Sequence, residues 1–189
     1  MGIHRQVLAG CVACCAWALA AHAARESPAP GSLAPDFTAR DIVSNNRVHL
    51  SEAQGKLVFV TFWATWCAPC RSELPILENV QKKLGKDKAA VYAVSFQETA
   101  SPRGLRDFVK GHNWQMTLLE DPNGRIAQQY GITAIPHLFI IGRDRRILAV
   151  HTGYGEHSIP QLVDEINAAL RTFSAASDDN TSAPALQGQ

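Results

Sequence analysis

Two runs of the chain are almost wholly apolar. "LVFVTFWA", Leu57–Ala64, and "AAVYAVSF", Ala89–Phe96, are rich in β-branched and aromatic residues, as strands buried on both faces of a sheet must be. Between them the pattern predicts a helix from about Ala68 to Leu84. Lys82 and Lys83 fall in its last turn and Gly85 suits the C′ position. Pro75 lies inside this helix, where it removes one backbone donor and should kink it. Downstream, Ser101 and Pro102 read as an N-cap and a first helical residue, and Leu105, Phe108 and Val109 mark one helical face. "MTLLED" predicts a third strand and "DPNG", Asp121–Gly124, a turn. A short helix from Arg125 to Tyr130 leads into "GITAIPHLFII", whose second half reads as a strand. "GRDRR" turns the chain and "ILAVHTG" returns it. Ser158 then caps a last helix with an apolar stripe of Ile159, Leu162, Val163, Ile166 and Leu170. Upstream, "RVHLSEAQGK" predicts a short strand and a turn at Gly55.

Strands that alternate with helices pair in parallel through right-handed crossovers, whereas the closing strand pair is a hairpin and must be antiparallel. The fold class is therefore α/β, a mixed central sheet with helices on both faces. The folded domain is assigned to residues 35–172. Residues 24–34, rich in Pro, Ala and Ser, read as a linker, and residues 173–189, polar and without periodicity, as a disordered tail.

The N-terminus differs in kind. Arg5 precedes "QVLAGCVACCAWALAA", a run without charge, and "AHA", Ala21–Ala23, places small residues where a signal peptidase reads. Residues 1–23 thus match a secretory signal peptide. Two other readings stand beside it. "LAGC" has the form of a lipoprotein box with lipid on Cys11, and Val7–Ala24 is about long enough for an uncleaved anchor. All three predict export, and the periplasm is the expected compartment. A net charge of +1 with no long basic run excludes an electrostatic case for nucleic acid.

The cysteine count follows from this division. Of five cysteines, Cys11, Cys14 and Cys15 fall in the leader and only Cys67 and Cys70 remain. One pair is too few for a stapled scaffold, and a chain of this size does not need one. Haem attachment would require His at position 71, which is Arg. Zinc needs about four ligands, and His49, His112, His137, His151 and His157 are scattered. A structural disulfide across two residues closes a tiny loop, and such loops stabilise least. Redox chemistry is the remaining reading, and local structure supports it. The pair opens a helix directly after a buried strand, so free N–H groups and the positive helix end point at the first sulfur. Cys67 should then be the nucleophile and Cys70, one turn in, the resolving thiol. Ala68 and Pro69 add no charge between them. Trp66 is expected to be an exposed contact surface and Trp63 a core residue.

"FWATWCAPC" together with "GITAIPHLFI" resembles the thioredoxin superfamily, and within it the exported TlpA/ResA-like thiol–disulfide oxidoreductases. The likeness spans about residues 35–172 and implies a thioredoxin fold with an N-terminal strand extension. It implies that Pro136 follows a cis peptide bond facing the disulfide, with the backbone of Ile135 turned outward to pair with a substrate segment. It places Trp66, Ala68, Pro69, Ile135 and Pro136 at the substrate contact. Ordinary thioredoxins carry a buried Asp where this chain has Thr61. The resemblance instead implies that Glu98, in "VSFQE", accepts the proton of Cys70. It implies no cofactor beyond the Cys67–Cys70 couple and no metal. The implied partners are protein disulfides, such as apocytochrome c or a metal-site assembly protein, and a membrane thiol donor. Two rival functions are a periplasmic disulfide oxidase, against which the short Val91–Ile135 segment argues, and a copper-holding metallochaperone without redox turnover.

Overall fold

The computed structural model describes residues 26–96, 102–153 and 158–181. Two short strands come first, β1 (Thr38–Asp41) and β2 (Arg47–His49), followed by a 3-10 turn over Leu50–Ala53. Then come β3 (Leu57–Trp63), α1 (Ala68–Lys88), β4 (Ala89–Ser95), α2 (Pro102–Lys110), β5 (Thr117–Glu120) and α3 (Arg125–Gln129). The hairpin β6 (His137–Ile141) and β7 (Ile147–Thr152) and the last helix α4 (Ser158–Thr181) complete the fold. The strands form one sheet in the order β2-β1-β5-β4-β3-β6-β7. The two apolar runs are β3 and β4, its parallel centre, with β5 parallel beyond them. β6 pairs antiparallel with β3, and β7 with β6. This is the thioredoxin-like α/β architecture that the pattern and the motifs predict.

Alternation along β3 divides the core. Leu57, Phe59 and Trp63 face one layer, which α1, α2 and α4 cover with Leu74, Leu77, Leu105, Val109, Leu162 and Ile166. Val58, Val60 and Phe62 face the other, closed by Phe37, Leu50, Ile126 and Tyr130. Helices on both faces satisfy the requirement that a parallel centre be buried from both sides. Buried polar groups tie the layers together. Both oxygens of Glu78 on α1 accept from the Gln115 amide and Oε2 also from Met116, all at 2.9–3.0 Å, which fixes the entry to β5. Asp121 accepts from the amides of Ile126 and Ala127 and so caps α3, whose own N-cap is Gly124.

Two expectations need correction. Residues 24–34 are not simply a linker. Gly31 N donates to Ile147 O, Ile147 N to Ser32 O and Ala34 N to Arg145 O, each at 2.8–2.9 Å, and Ala34 is buried. The outer edge of β7 offers unpaired backbone groups, and this segment covers them. The tail expected from residue 173 is overrun by α4, which continues to Thr181. Once a helix exists, each further residue adds one hydrogen bond and needs no apolar stripe. β1 has no alternating signature of its own. It is a strand because Arg40 and Asp41 pair with Glu120 and Leu119 of β5. Gly85 does end the regular part of α1, with φ +74°, and a short turn carries Lys86 and Lys88 to β4.

Candidate active site at the head of α1

β3 delivers the chain to the active site, and a turn over Thr65 and Trp66 passes it to α1. Cys67 is the N-cap of this helix. An N-cap residue normally satisfies a free amide of the first turn with a side-chain oxygen. Here a sulfur does so: Cys70 N donates to Cys67 Sγ at 3.2 Å. Pro69 has no N–H to offer, and the first turn holds no acidic residue. The positive helix end is therefore focused on one sulfur without a competing carboxylate. The two sulfurs are bonded as a Cys67–Cys70 disulfide. Cys67 is 5% exposed and Cys70 1%, so an incoming sulfur can approach Cys67 and not Cys70.

The opposite wall of the site comes from the antiparallel neighbour of β3. Phe62 pairs with His137, so Ile135 and Pro136, just before β6, lie level with the loop that leaves Trp63. The Ile135–Pro136 bond is cis, and the carbonyl of Pro136 accepts from Gly153 N at 3.0 Å. Pro136 is buried and Ile135 half-buried. Trp66 is 52% exposed. Ala68 is exposed and Pro69 half-buried on the same rim. Trp63 is fully buried and packs against Phe108 and Trp114, as expected of a core residue.

Glu98 lies outside the described residues. A buried carboxylate on α1 lies one helical turn beyond Cys70. Glu73 sits on α1 three residues after Cys70 and so on the same helical face. It is 2% exposed and accepts a 2.7 Å hydrogen bond from Thr61 Oγ1. Burial pushes its pKa up to about 7, with the Thr61 bond working in the opposite direction. A carboxyl that titrates near neutrality, one turn beyond Cys70, can take up and release a proton near pH 7. The signal was present: Glu73 interrupts the inward stripe Cys70, Leu74, Leu77 at helical spacing, and Thr61 is a lone polar residue within an apolar strand.

His137 is also more than a plain strand residue. It is 8% exposed, its Nε2 lies 3.5 Å from Ser27 Oγ, and its ring stacks on Phe139. Burial, and secondarily the neighbouring His151, lowers its pKa to about 4, so it is neutral at pH 7. His151 itself pairs with Glu165 at 3.0 Å.

Residues 30–150 match the AhpC/TSA family. The thiol-disulfide oxidoreductase ResA of Bacillus subtilis is 31% identical over 134 residues, which cover 71% of this chain and 73% of that protein. The thioredoxin-like protein YneN of the same organism is 36% identical over 124 residues, 65% of this chain and 71% of that one. Among solved structures, a Chlorobium tepidum protein assigned as thiol:disulfide interchange protein DsbE superposes with a TM-score of 0.68 at 31% identity. It covers 76% of this chain and 99% of its own. The exposed lipoprotein thioredoxin Etrx1 of Streptococcus pneumoniae gives a TM-score of 0.57 at 27% identity, over 69% of this chain and 99% of its own.

Proposed function

The chain belongs to the AhpC/TSA family and within it is a ResA-like thiol-disulfide oxidoreductase, and from that premise we propose that it reduces disulfides in exported protein targets. The observation that carries this reading is the Cys67 sulfur. It caps α1, accepts the Cys70 amide and is the more accessible of the pair. The Cys67 thiolate attacks one sulfur of a target disulfide. The target S–S bond breaks, its electron pair leaves on the other target sulfur, and Cys67 is joined to the target. Cys70 then loses its proton to a carboxylate and attacks Cys67 Sγ. The mixed disulfide breaks, the second target thiol departs, and the Cys67–Cys70 bond remains. Two electrons have moved to the target, and no cofactor beyond the couple is required.

Glu73 is the carboxylate we assign to this proton. Its helical position and its neutral-range titration fit the task, while Glu98 keeps a claim through the family motif alone. Trp66, Ala68, Pro69, Ile135 and Pro136 form the rim where the target segment rests, with the Ile135 backbone available to pair with it. The leader at residues 1–23, cleaved, retained as an anchor or replaced by lipid on Cys11, would deliver the domain to the periplasm. That compartment is held oxidising, so a membrane thiol donor would have to recharge the couple. Apocytochrome c or a metal-site assembly protein is the target class the family likeness suggests.

The test is a trap. Cys70→Ser, expressed with its leader, should hold targets as mixed disulfides that dithiothreitol releases, and the wild type should catalyse insulin reduction. A reduction potential near the DsbA value of about −120 mV would overturn the reducing role in favour of oxidation. An empty trap with Cu(I) retained stoichiometrically would overturn the exchange chemistry altogether.

A further inference from the structure

Thr61 stands where a hydroxyl is costly. Along the face that β3 turns toward α1, its neighbours are Phe59 and Trp63, and across the sheet Ala93 on β4 and Leu138 on β6. Thr61 is 0% exposed. A hydroxyl taken from water into such surroundings destabilises the fold unless it is hydrogen-bonded. Valine would fill nearly the same volume and suits a central strand at least as well, so packing alone does not account for threonine here. The hydroxyl donates to Glu73 Oε1 at 2.7 Å, an ordinary length for an O–H···O bond. An ionised carboxylate has no proton to give, so Thr61 must be the donor in that state.

We propose that Thr61 is a positioning residue for the exchange reaction: its hydroxyl orients the Glu73 carboxylate and keeps it able to accept the proton of Cys70. The inference rests on the reading of Glu73 as that acceptor. In the step concerned, the S–H bond of Cys70 breaks and its proton passes to Glu73. The freed electron pair on Cys70 Sγ forms the bond to Cys67 Sγ, and the bond from Cys67 to the target breaks toward the target sulfur. A carboxyl that already holds a proton cannot perform this step. Burial favours the protonated form, and the Thr61 bond opposes it. Without the hydroxyl, Glu73 would be protonated through most of the neutral range. The position at which ordinary thioredoxins carry an acid is thus occupied by a donor that controls an acid supplied from the facing helix.

The experiment compares wild type, Thr61→Val, Thr61→Ser and Glu73→Gln. The rate at which a preformed mixed disulfide between Cys67 and a cysteine peptide decays is measured against pH. Glu73 is titrated alongside through the ¹³C shift of its carboxyl carbon in the reduced protein. A hydrogen bond to a charged group is worth enough to move a titration by about one unit. Thr61→Val is expected to move both the Glu73 titration and the rate profile upward by about that amount, and to slow decay at pH 7 several-fold. Thr61→Ser, which keeps the hydroxyl, should restore both. The proposal is overturned if the Val variant titrates and reacts as wild type while Glu73→Gln flattens the profile, a result that leaves the role of Glu73 standing. If Glu73→Gln leaves the profile unchanged, the role of Glu73 fails instead. The carboxyl shift in Thr61→Val then still reports whether the hydroxyl governs that group.

Discussion

The amide of Cys70 points at the sulfur of Cys67 from 3.2 Å away. In the oxidised protein this contact caps α1. In the reduced protein the same amide, together with the helix end behind it, faces a thiol that can ionise. The free thiol ordinarily titrates near 8.5, and helix N-termini lower it. In Cys70→Ser, where the amide is kept and the second thiol is gone, Cys67 should titrate at least about one unit below 8.5. The pH dependence of its iodoacetamide alkylation reads this directly. A thiol that titrates at 8.5 or above would mean that the cap geometry is lost on reduction.

Glu73 carries a signature in stability as well as in catalysis. Its carboxyl titrates near 7 in the folded protein against 4.5 as the ordinary value. The native state therefore binds more protons than the unfolded state between those two values. Its contribution is most favourable below about pH 4.5 and is lost as pH rises through 7. Integrated over the window, the loss is about 3 kcal/mol. Glu73→Gln should remove it, so the variant should gain on wild type by up to this amount between pH 4.5 and 8. Urea denaturation of the oxidised proteins at the two pH values measures the difference.

Much of this site could be read before any coordinates. The pair Cys67 and Cys70 stands out because haem and zinc need residues the chain lacks and a structural disulfide over so short a loop stabilises little. Pro136 is identified through the second motif of the family resemblance, and its peptide bond is cis. The central strands were visible because burial on both faces leaves an unbroken apolar run. What the pattern alone does not show depends on the packing of a helix against the sheet. Thr61 and Glu73 are twelve residues apart, and neither suggests the other until β3 and α1 are packed face to face. Glu98 enters through the family resemblance alone, whereas the stripe logic applied to α4 points to Glu73 when it is applied to α1. The segment around Gly31 read as a linker because its prolines and glycine mark irregular backbone. Such backbone can still cover a strand edge, as it does on β7.

His137 has the opposite pH signature from Glu73. Its pKa falls from 6.5 to about 4 on folding, through burial first and the His151 charge second. The unfolded chain binds the proton more readily, so stability falls as pH drops from about 6.5 toward 4. The facing groups are Ser27 at its Nε2 and His151, which is held by Glu165. Between pH 4.5 and 6.5 the slopes of His137 and Glu73 oppose each other, and the wild type should show a broad, flat optimum there. His137→Thr removes one side of this balance. The variant should hold its stability down to lower pH, by at most about 3 kcal/mol at pH 4. Thermal denaturation followed by circular dichroism across pH 4–7 tests this. A variant whose stability falls in parallel with wild type would show that His137 remains solvated.

Trp66 separates recognition from chemistry. It is 52% exposed immediately before Cys67, while Trp63, three residues earlier, is wholly buried and belongs to the core. The exposed part of the indole offers area that a docked protein can cover, and aromatic anchors of this kind can contribute over 1 kcal/mol to protein contacts. A small disulfide such as Ellman's reagent is too small to cover the ring and still reach the sulfur. Trp66→Ala should therefore lose about tenfold in kcat/KM on a protein disulfide and much less on Ellman's reagent. Equal losses on both substrates would instead place Trp66 in the support of Cys67, because only a change at the reacting sulfur slows every disulfide alike.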